Sequence, residues 1–161
     1  DLDQRIAELA KAARPEAAQP ASAPAAATAG EAPQLDPLAE SRSYEAALAQ
    51  FREGNYPAAI SGFNGFLKVY PGSTLASNAQ YWIGYSYYAL KDYKSALAHQ
   101  QKLVLAYPAS TKVPDALLNI AASQLALDDL AGARKTLEGL VAKYPDTEAA
   151  KLAARRLATL K

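Results

Sequence analysis

Apolar residues from about residue 36 to the end of the chain recur at helical spacing, three or four positions apart. The pattern is interrupted only by short groups that contain Gly, Asn, Asp or Pro, which are typical of turns between helices. The chain therefore predicts an all-α domain over residues 39–161.

A second, shorter pattern lies at the start of the chain, in residues 1–14. Leu2, Ile6 and Leu9 are separated by four and then three positions, as at the core positions of a coiled coil. We expect residues 1–14 to be the end of an oligomerising coiled coil held by these three side chains. A short helix without a partner is the alternative, because an isolated helix of this length is marginal in water.

Residues 15–38 carry neither pattern. An Ala-rich composition favours helix, but five prolines are spread through the segment and interrupt it. They are Pro15, Pro20, Pro24, Pro33 and Pro37. We expect a flexible linker.

The helical region is an internal repeat with a step of 37 residues. Seven sets of positions obey this step, which makes chance an inadequate explanation. The sets include Tyr70-Pro71, Tyr107-Pro108 and Tyr144-Pro145; Ala47, Gly84 and Ala121; Ala59, Ala96 and Ala133; Tyr44, Tyr81 and Leu118; and Ser73, Ser110 and Thr147.

Each repeat predicts two helices that cross closely. A small residue in the first helix and an Ala in the second allow the approach, and a turn such as Gly54-Asn55 separates them. The second helix ends before Tyr-Pro, because proline disfavours helix in the preceding residue. Ser73, Ser110 and Thr147 are then placed to cap the next helix.

This arrangement of small residue, Ala, large apolar residue and Pro resembles the tetratricopeptide repeat, although that repeat is usually 34 residues long. The resemblance implies a right-handed α-solenoid. It would consist of three helix pairs, at about residues 39–73, 74–110 and 111–146, and a capping helix over residues 147–161. Lys151, Arg155 and Arg156 in that last helix fit the polar outer face of a cap. A basic site for an acidic partner is the alternative.

Composition excludes several kinds of chemistry. The chain has no Cys, a single His and a formal net charge of +1, which argue against thiolate catalysis, a multi-histidine metal site and nucleic-acid binding. No nucleotide-binding or hydrolase motif occurs, and we expect His99 to be exposed to solvent. We predict no catalytic residue, cofactor or metal, and therefore a protein that is not an enzyme. The lack of Met and the start at Asp1 suggest a processed or cut piece of a longer chain.

Aromatic residues in the second repeat indicate a binding surface. Tyr81, Tyr85 and Tyr88 share one helix face, and Tyr is enriched at binding hot spots. By resemblance, the first helices line a groove that binds an extended segment or a helix of a partner. The expected groove residues are Tyr44, Leu48, Phe51, Asn78, Tyr81, Tyr85, Tyr88, Asp115, Leu118, Ala122 and Leu125. Packing between repeats is the alternative for the tyrosines and for Trp82.

The N-terminal segment, the linker and repeats ending in YPxS or YPDT resemble, more narrowly, periplasmic tetratricopeptide-repeat proteins of the Tol-Pal system. That resemblance implies a homotrimer and partners in TolA and the peptidoglycan-synthesis machinery, which it would coordinate with outer-membrane constriction in cell division. Two other scaffolds stay open. One is an outer-membrane assembly lipoprotein, and the other is a cytoplasmic co-chaperone adaptor, whose basic carboxylate clamp is missing here.

Overall fold

The computed structural model describes residues 37–160, and this stretch contains seven helices and no strand. The helices are α1 (Pro37–Arg52), α2 (Tyr56–Val69), α3 (Ala76–Ala89), α4 (Tyr93–Ala106), α5 (Val113–Ala126), α6 (Leu130–Lys143) and α7 (Glu148–Thr159). The prediction of an all-α solenoid is confirmed. The predictions for Leu2, Ile6 and Leu9, and for the linker up to residue 36, lie outside the described residues.

The helices stack in chain order. Each helix packs against the next, and the first helices of neighbouring pairs (α1, α3, α5 and α7) also contact one another in sequence. The second helices α2, α4 and α6 begin at positions 37 residues apart, so the sequence period is also the period of the structure. Short connections of this kind place consecutive helices antiparallel to each other.

Within each pair, the turn passes through a left-handed backbone conformation. Gly54, Lys91 and Asp128 stand at the same place in the three repeats, with φ of 81°, 66° and 65°. Asp92 and Asp129 follow two of these residues and accept hydrogen bonds from the amides of Ser95 (3.2 Å) and Gly132 (2.9 Å). These carboxylates satisfy amides that the first turn of α4 and α6 leaves without a helical partner.

The turns between pairs use Ser and Thr in two ways. Thr147 caps α7 as expected, accepting from the Ala150 amide at 3.1 Å. Ser73 and Ser110 do not stand at the cap position, because one further turn precedes the helix. They accept instead from the amides two residues on, Leu75 and Lys112.

The same two serines link neighbouring pairs. Ser73 hydrogen-bonds the carboxylate of Glu40 on α1, and Ser110 hydrogen-bonds Ser77 on α3 at 2.7 Å. Glu40 and Ser77 are themselves 37 residues apart. The hydrogen bond from the turn serine to the preceding first helix is therefore repeated along the stack, with a carboxylate partner in one repeat and a hydroxyl partner in the next.

The core lies between the helices of each pair and between neighbouring pairs. Its small members are Ala47, Ala59, Ala79, Ala96, Ala121 and Ala133, and its large ones include Phe63, Phe66, Leu103, Leu137 and Leu140. Small residues at the crossings let the helices approach, and the large ones fill the space beside them.

The last helix has one buried and one polar side. Ala149, Leu152 and Ala153 pack inward, whereas Lys151 and Arg155 are exposed. A polar outer face of this kind suits a helix that caps a stack of repeats, and the cap stays a prediction.

Candidate functional site

A cluster of aromatic side chains joins the first helices α1 and α3. Phe51 lies 5.0 Å from Trp82 and 5.3 Å from Tyr85, measured between ring centroids. Tyr85 stacks between Tyr81, at 6.3 Å, and Tyr88, at 6.0 Å. We call these rings, together with Tyr44, the aromatic cluster. Their spacing is that of favourable aromatic pairs.

Trp82 belongs to the packing between repeats. Its indole is fully buried, and Nε1 donates a hydrogen bond to the Tyr44 hydroxyl at 2.9 Å. Asn78 also hydrogen-bonds that hydroxyl. The sequence was compatible with Trp82 either in the groove or in the packing between repeats, and the structure shows it in the core.

Most of the expected groove residues are buried. Tyr44, Leu48, Tyr81, Leu118 and Ala122 are inaccessible or nearly so, which corrects the expectation that their side chains line an open groove. Tyr44 packs edge-on against Phe63 and Phe66 of α2, with ring centroids 5.6 and 5.7 Å away. Tyr81 packs against Trp82 and Tyr85 within α3. Phe51 and Tyr85 keep 8% exposure each, so only a small part of each residue is accessible.

The accessible part of this face is narrower and more polar than expected. Asn78, Tyr88, Asp115 and Leu125 are half-buried. We call Asn78, Tyr88 and Asp115, with the small accessible part of Tyr85, the accessible strip. Its rings and polar groups can contact both side chains and backbone of another protein.

Lys112 lies beside the accessible strip and was missed by sequence reasoning. Its Nζ is 3.8 Å from the Asp115 carboxylate, 5.0 Å from the centre of the Tyr81 ring and 5.3 Å from that of Trp82. Burial lowers the pKa of the Lys112 ammonium, and burial raises the pKa of the Asp115 carboxyl; each partner opposes the shift of the other. A lysine before a helix is normally read as exposed, so no local signal places it over buried rings.

The polar contacts around Tyr44 are not reproduced one repeat later. Tyr81 is the equivalent of Tyr44, and Asp115 and Asn119 are the equivalents of Asn78 and Trp82. The Tyr81 hydroxyl and the Asn119 amide are buried without a hydrogen-bond partner. Burial, reinforced by the negative charge of Asp115, raises the pKa of the Tyr81 hydroxyl well above its ordinary value.

His99 is half-buried, which corrects the expectation that it is exposed to solvent. Its ring stacks on Tyr87 with centroids 5.1 Å apart, and its Nδ1 lies 3.2 Å from the Gln80 side-chain nitrogen. Burial lowers the pKa of His99, and nearby Lys102 adds to that effect.

Within residues 37–160, no three His, Asp or Glu side chains are grouped closely enough to hold a metal ion.

Seven stacked helices with small residues at each crossing define a helical-repeat protein. The chain belongs to the family described as YfiO, outer membrane lipoprotein, whose family model matches residues 37–161. A relative of known name is the cell division coordinator CpoB of Pseudomonas putida, to which the chain is 41% identical over 56 residues. That match covers 35% of this chain and 21% of the relative, so the chain spans only about a fifth of the relative's length.

Solved structures share the fold. The Yersinia enterocolitica type III secretion translocator chaperone SycD superposes with a TM-score of 0.65 at 19% identity, over 79% of this chain and 86% of that one. The Arabidopsis OM64 TPR domain gives 0.62 at 17% identity, over 74% and 94%. These likenesses confirm the tetratricopeptide-like architecture. In the part of the chain that the structure describes, every helix is too short or too polar to cross a lipid bilayer.

Proposed function

We propose that the protein is a non-catalytic scaffold of the cell envelope that joins other proteins during cell division. The observation that carries this proposal is the similarity to the cell division coordinator CpoB. The fold supports it, because stacked helical repeats offer an extended surface for binding other proteins. The proposed location is the periplasm. The proposed partners are TolA and the machinery of peptidoglycan synthesis, whose activity the scaffold would coordinate with outer-membrane constriction.

The proposed binding surface is the accessible strip. It combines two tyrosines with one amide and one carboxylate, and the Lys112 ammonium lies 3.8 Å from that carboxylate. Such a mixture suits an extended segment or a helix that presents both apolar and polar groups. Of the groove residues predicted from the sequence, Asn78, Tyr88 and Asp115 keep their role in this proposal, and the buried ones support them from below.

The proposed organisation places several such surfaces in one assembly. Residues 1–14 would form a trimer through Leu2, Ile6 and Leu9. Residues 15–36 would tether the repeats to it, because the first helix already begins at Pro37. Linked sites raise the effective concentration of a partner that can reach two of them.

Tyr88→Ala tests the accessible strip against a purified TolA fragment. We expect the affinity to fall by about 2 kcal/mol, a factor near 30, as for a binding hot spot. Tyr87→Ala is the matched control, because Tyr87 precedes it in α3 but stacks on His99. Equal affinities for the two variants would show that the accessible strip is not the binding site. A wild type that does not bind the fragment would refute TolA as a partner.

A second candidate function follows from the family description, outer membrane lipoprotein. An adaptor in outer-membrane assembly would use the same repeats but would be attached to the membrane by a lipidated N-terminal Cys. Mass spectrometry of the mature protein isolated from the cell envelope separates the candidates, because a lipid-modified N-terminus favours the assembly adaptor.

A further inference from the structure

A groove of about 480 Å³ lies between α4 and α6, with α5 as its floor. The α5 residues that line it include Val113, Leu117 and Ile120, which are spaced by four and three and so share one helix face. That face is turned away from the one that carries Asp115 and Ala122, because the two sets differ by about half a turn. The groove is therefore separate from the accessible strip.

One wall of the groove carries apolar side chains that solvent reaches. Val104 and Leu105 of α4 form one wall, and Leu105 is 82% exposed. Lys68 and Ala142 occupy the equivalent positions in the other two repeats. An exposed leucine above an apolar floor is thus specific to this part of the stack, and such surfaces mark interaction sites.

The equivalent place one repeat earlier is occupied by the protein's own side chains. There Gln80 stands in place of Leu117, and it hydrogen-bonds the backbone oxygen of His99 at 3.0 Å. The His99 ring, which stands in place of Thr136, is covered by Tyr87. The later groove is open because smaller or apolar residues replace this polar network.

The other wall, on α6, carries two lysines with a glycine between them. Lys135, Gly139 and Lys143 are four residues apart on α6 and form one stripe along the groove. A Cβ added to Gly139 would meet no atom within 4 Å, whereas Lys102 stands at that position in α4. None of the residues that line the groove is acidic.

The floor of the groove is as long as a short helix. Val113 and Gln124, at the two ends of its floor, are eleven residues apart, which is about 16 Å along α5. This length holds about three turns, enough for apolar anchors at i, i+4 and i+7. Among the floor residues, Leu117 is partly accessible, whereas Val113 and Ile120 are buried. We propose that this groove binds an acidic amphipathic helix of a partner protein, with its apolar stripe on Leu105 and Leu117 and its carboxylates toward Lys135 and Lys143. This proposal does not depend on the function proposed above.

The test uses the full chain and a fluorescent peptide of three to four turns with leucines at i, i+4 and i+7 and glutamates on both flanks. We expect saturable binding that weakens as salt is raised, and little binding of the same peptide with lysines in place of glutamates. Gly139→Gln should reduce the affinity at least about tenfold, because its side chain occupies the space between the two lysines.

Gly65→Gln is the matched control for that variant. Gly65 stands at the equivalent position of α2, and its added Cβ also meets nothing within 4 Å. Both substitutions replace Gly in a helix and should not reduce stability. Charge reversal of Lys135 and Lys143 should abolish binding, whereas the same change in net charge at Lys151 and Arg155 of α7 should leave it intact.

Three outcomes would overturn the proposal. One is no binding of the acidic peptide to the wild type. Another is the same loss of affinity in Gly139→Gln and Gly65→Gln. The third is self-association of the wild type that disappears in Leu105→Lys, which copies Lys68 of the first repeat, because the groove would then hold a second copy of this chain.

Discussion

At Gly84, an added Cβ would lie 2.5 Å from the side chain of Gln100, which is fully buried and donates to the Tyr81 backbone oxygen at 3.0 Å. The next repeat has Ala121 and Leu137 at these two positions, and both are buried without such a conflict. Gly84 and Gln100 therefore form a matched pair, in which the longer side chain of Gln100 on α4 reaches into the space that a side chain at position 84 of α3 would occupy.

We predict that Gly84→Ala alone destabilises the protein by about 1–3 kcal/mol through overpacking, although Ala is the better helix former. Gln100→Leu should rescue much of this loss in the double variant, which copies the third repeat. Urea unfolding of the two single variants and the double variant measures the coupling. Additive free energies of unfolding would show that the two side chains do not compete for the same space.

His99 predicts a dependence of stability on pH. Its pKa is lowered in the folded protein, so the unfolded chain binds the proton more readily. The stability that neutral His99 contributes is present above the unfolded pKa, about 6.5, and is lost as the pH falls below it. Protonation also removes the ability of Nδ1 to accept from Gln80.

We expect the wild type to lose more thermal stability than His99→Gln when the pH is lowered from about 7.5 to about 5.5. Carboxylates that begin to titrate in this range are common to both proteins and cancel in the comparison. Melting curves at several pH values measure it, and parallel curves for the two proteins would contradict the assigned environment of His99.

At the scale of one element, the left-handed turn between paired helices is filled by three different residues. Gly adopts this conformation without a steric penalty, whereas Lys91 and Asp128 adopt it at a cost of about 1–2 kcal/mol. The repeated geometry comes from the need to reverse the chain between two helices that must pack against each other, and it overrides the preference of the residue.

Lys91→Gly should therefore stabilise the protein by up to about 1 kcal/mol, once the larger entropy of Gly in the unfolded chain is subtracted. The control is Gly54→Ala, where an added Cβ meets nothing within 4 Å and only the backbone conformation opposes it. It should destabilise by a similar amount. Differential scanning calorimetry measures both, and a lower melting temperature for Lys91→Gly would contradict the prediction.

At the scale of the whole molecule, the proposed division into an oligomerising segment, a linker and repeats makes a separable prediction. Deleting residues 1–14 should lower the association state and leave the unfolding of the repeats unchanged, because the linker has few residues that could pack on them. Analytical ultracentrifugation and circular dichroism of the full and shortened chains test this. If both chains show the same association state at high protein concentration, Leu2, Ile6 and Leu9 do not hold the oligomer together.

The sequence alone predicted the helices and their order, because the 37-residue period, the small residues at the crossings and the Tyr-Pro stops act locally or between adjacent helices. It also placed Tyr81, Tyr85 and Tyr88 on one face of α3. It could not decide which rings are accessible, since Tyr81 and Tyr88 share one face of α3 and differ only in what the neighbouring helices place over them.

Only the tertiary structure determined which side chains are accessible. Packing of helices against one another buries Tyr44, Leu48 and Leu118. It also brings Lys112 over the rings of Tyr81 and Trp82, although Lys112 follows Trp82 by 30 positions in the chain. The groove between α4 and α6 likewise depends on side chains from three helices. A period along the chain fixes which positions are equivalent, whereas the exposure of a side chain is set by the volumes that meet around it in three dimensions.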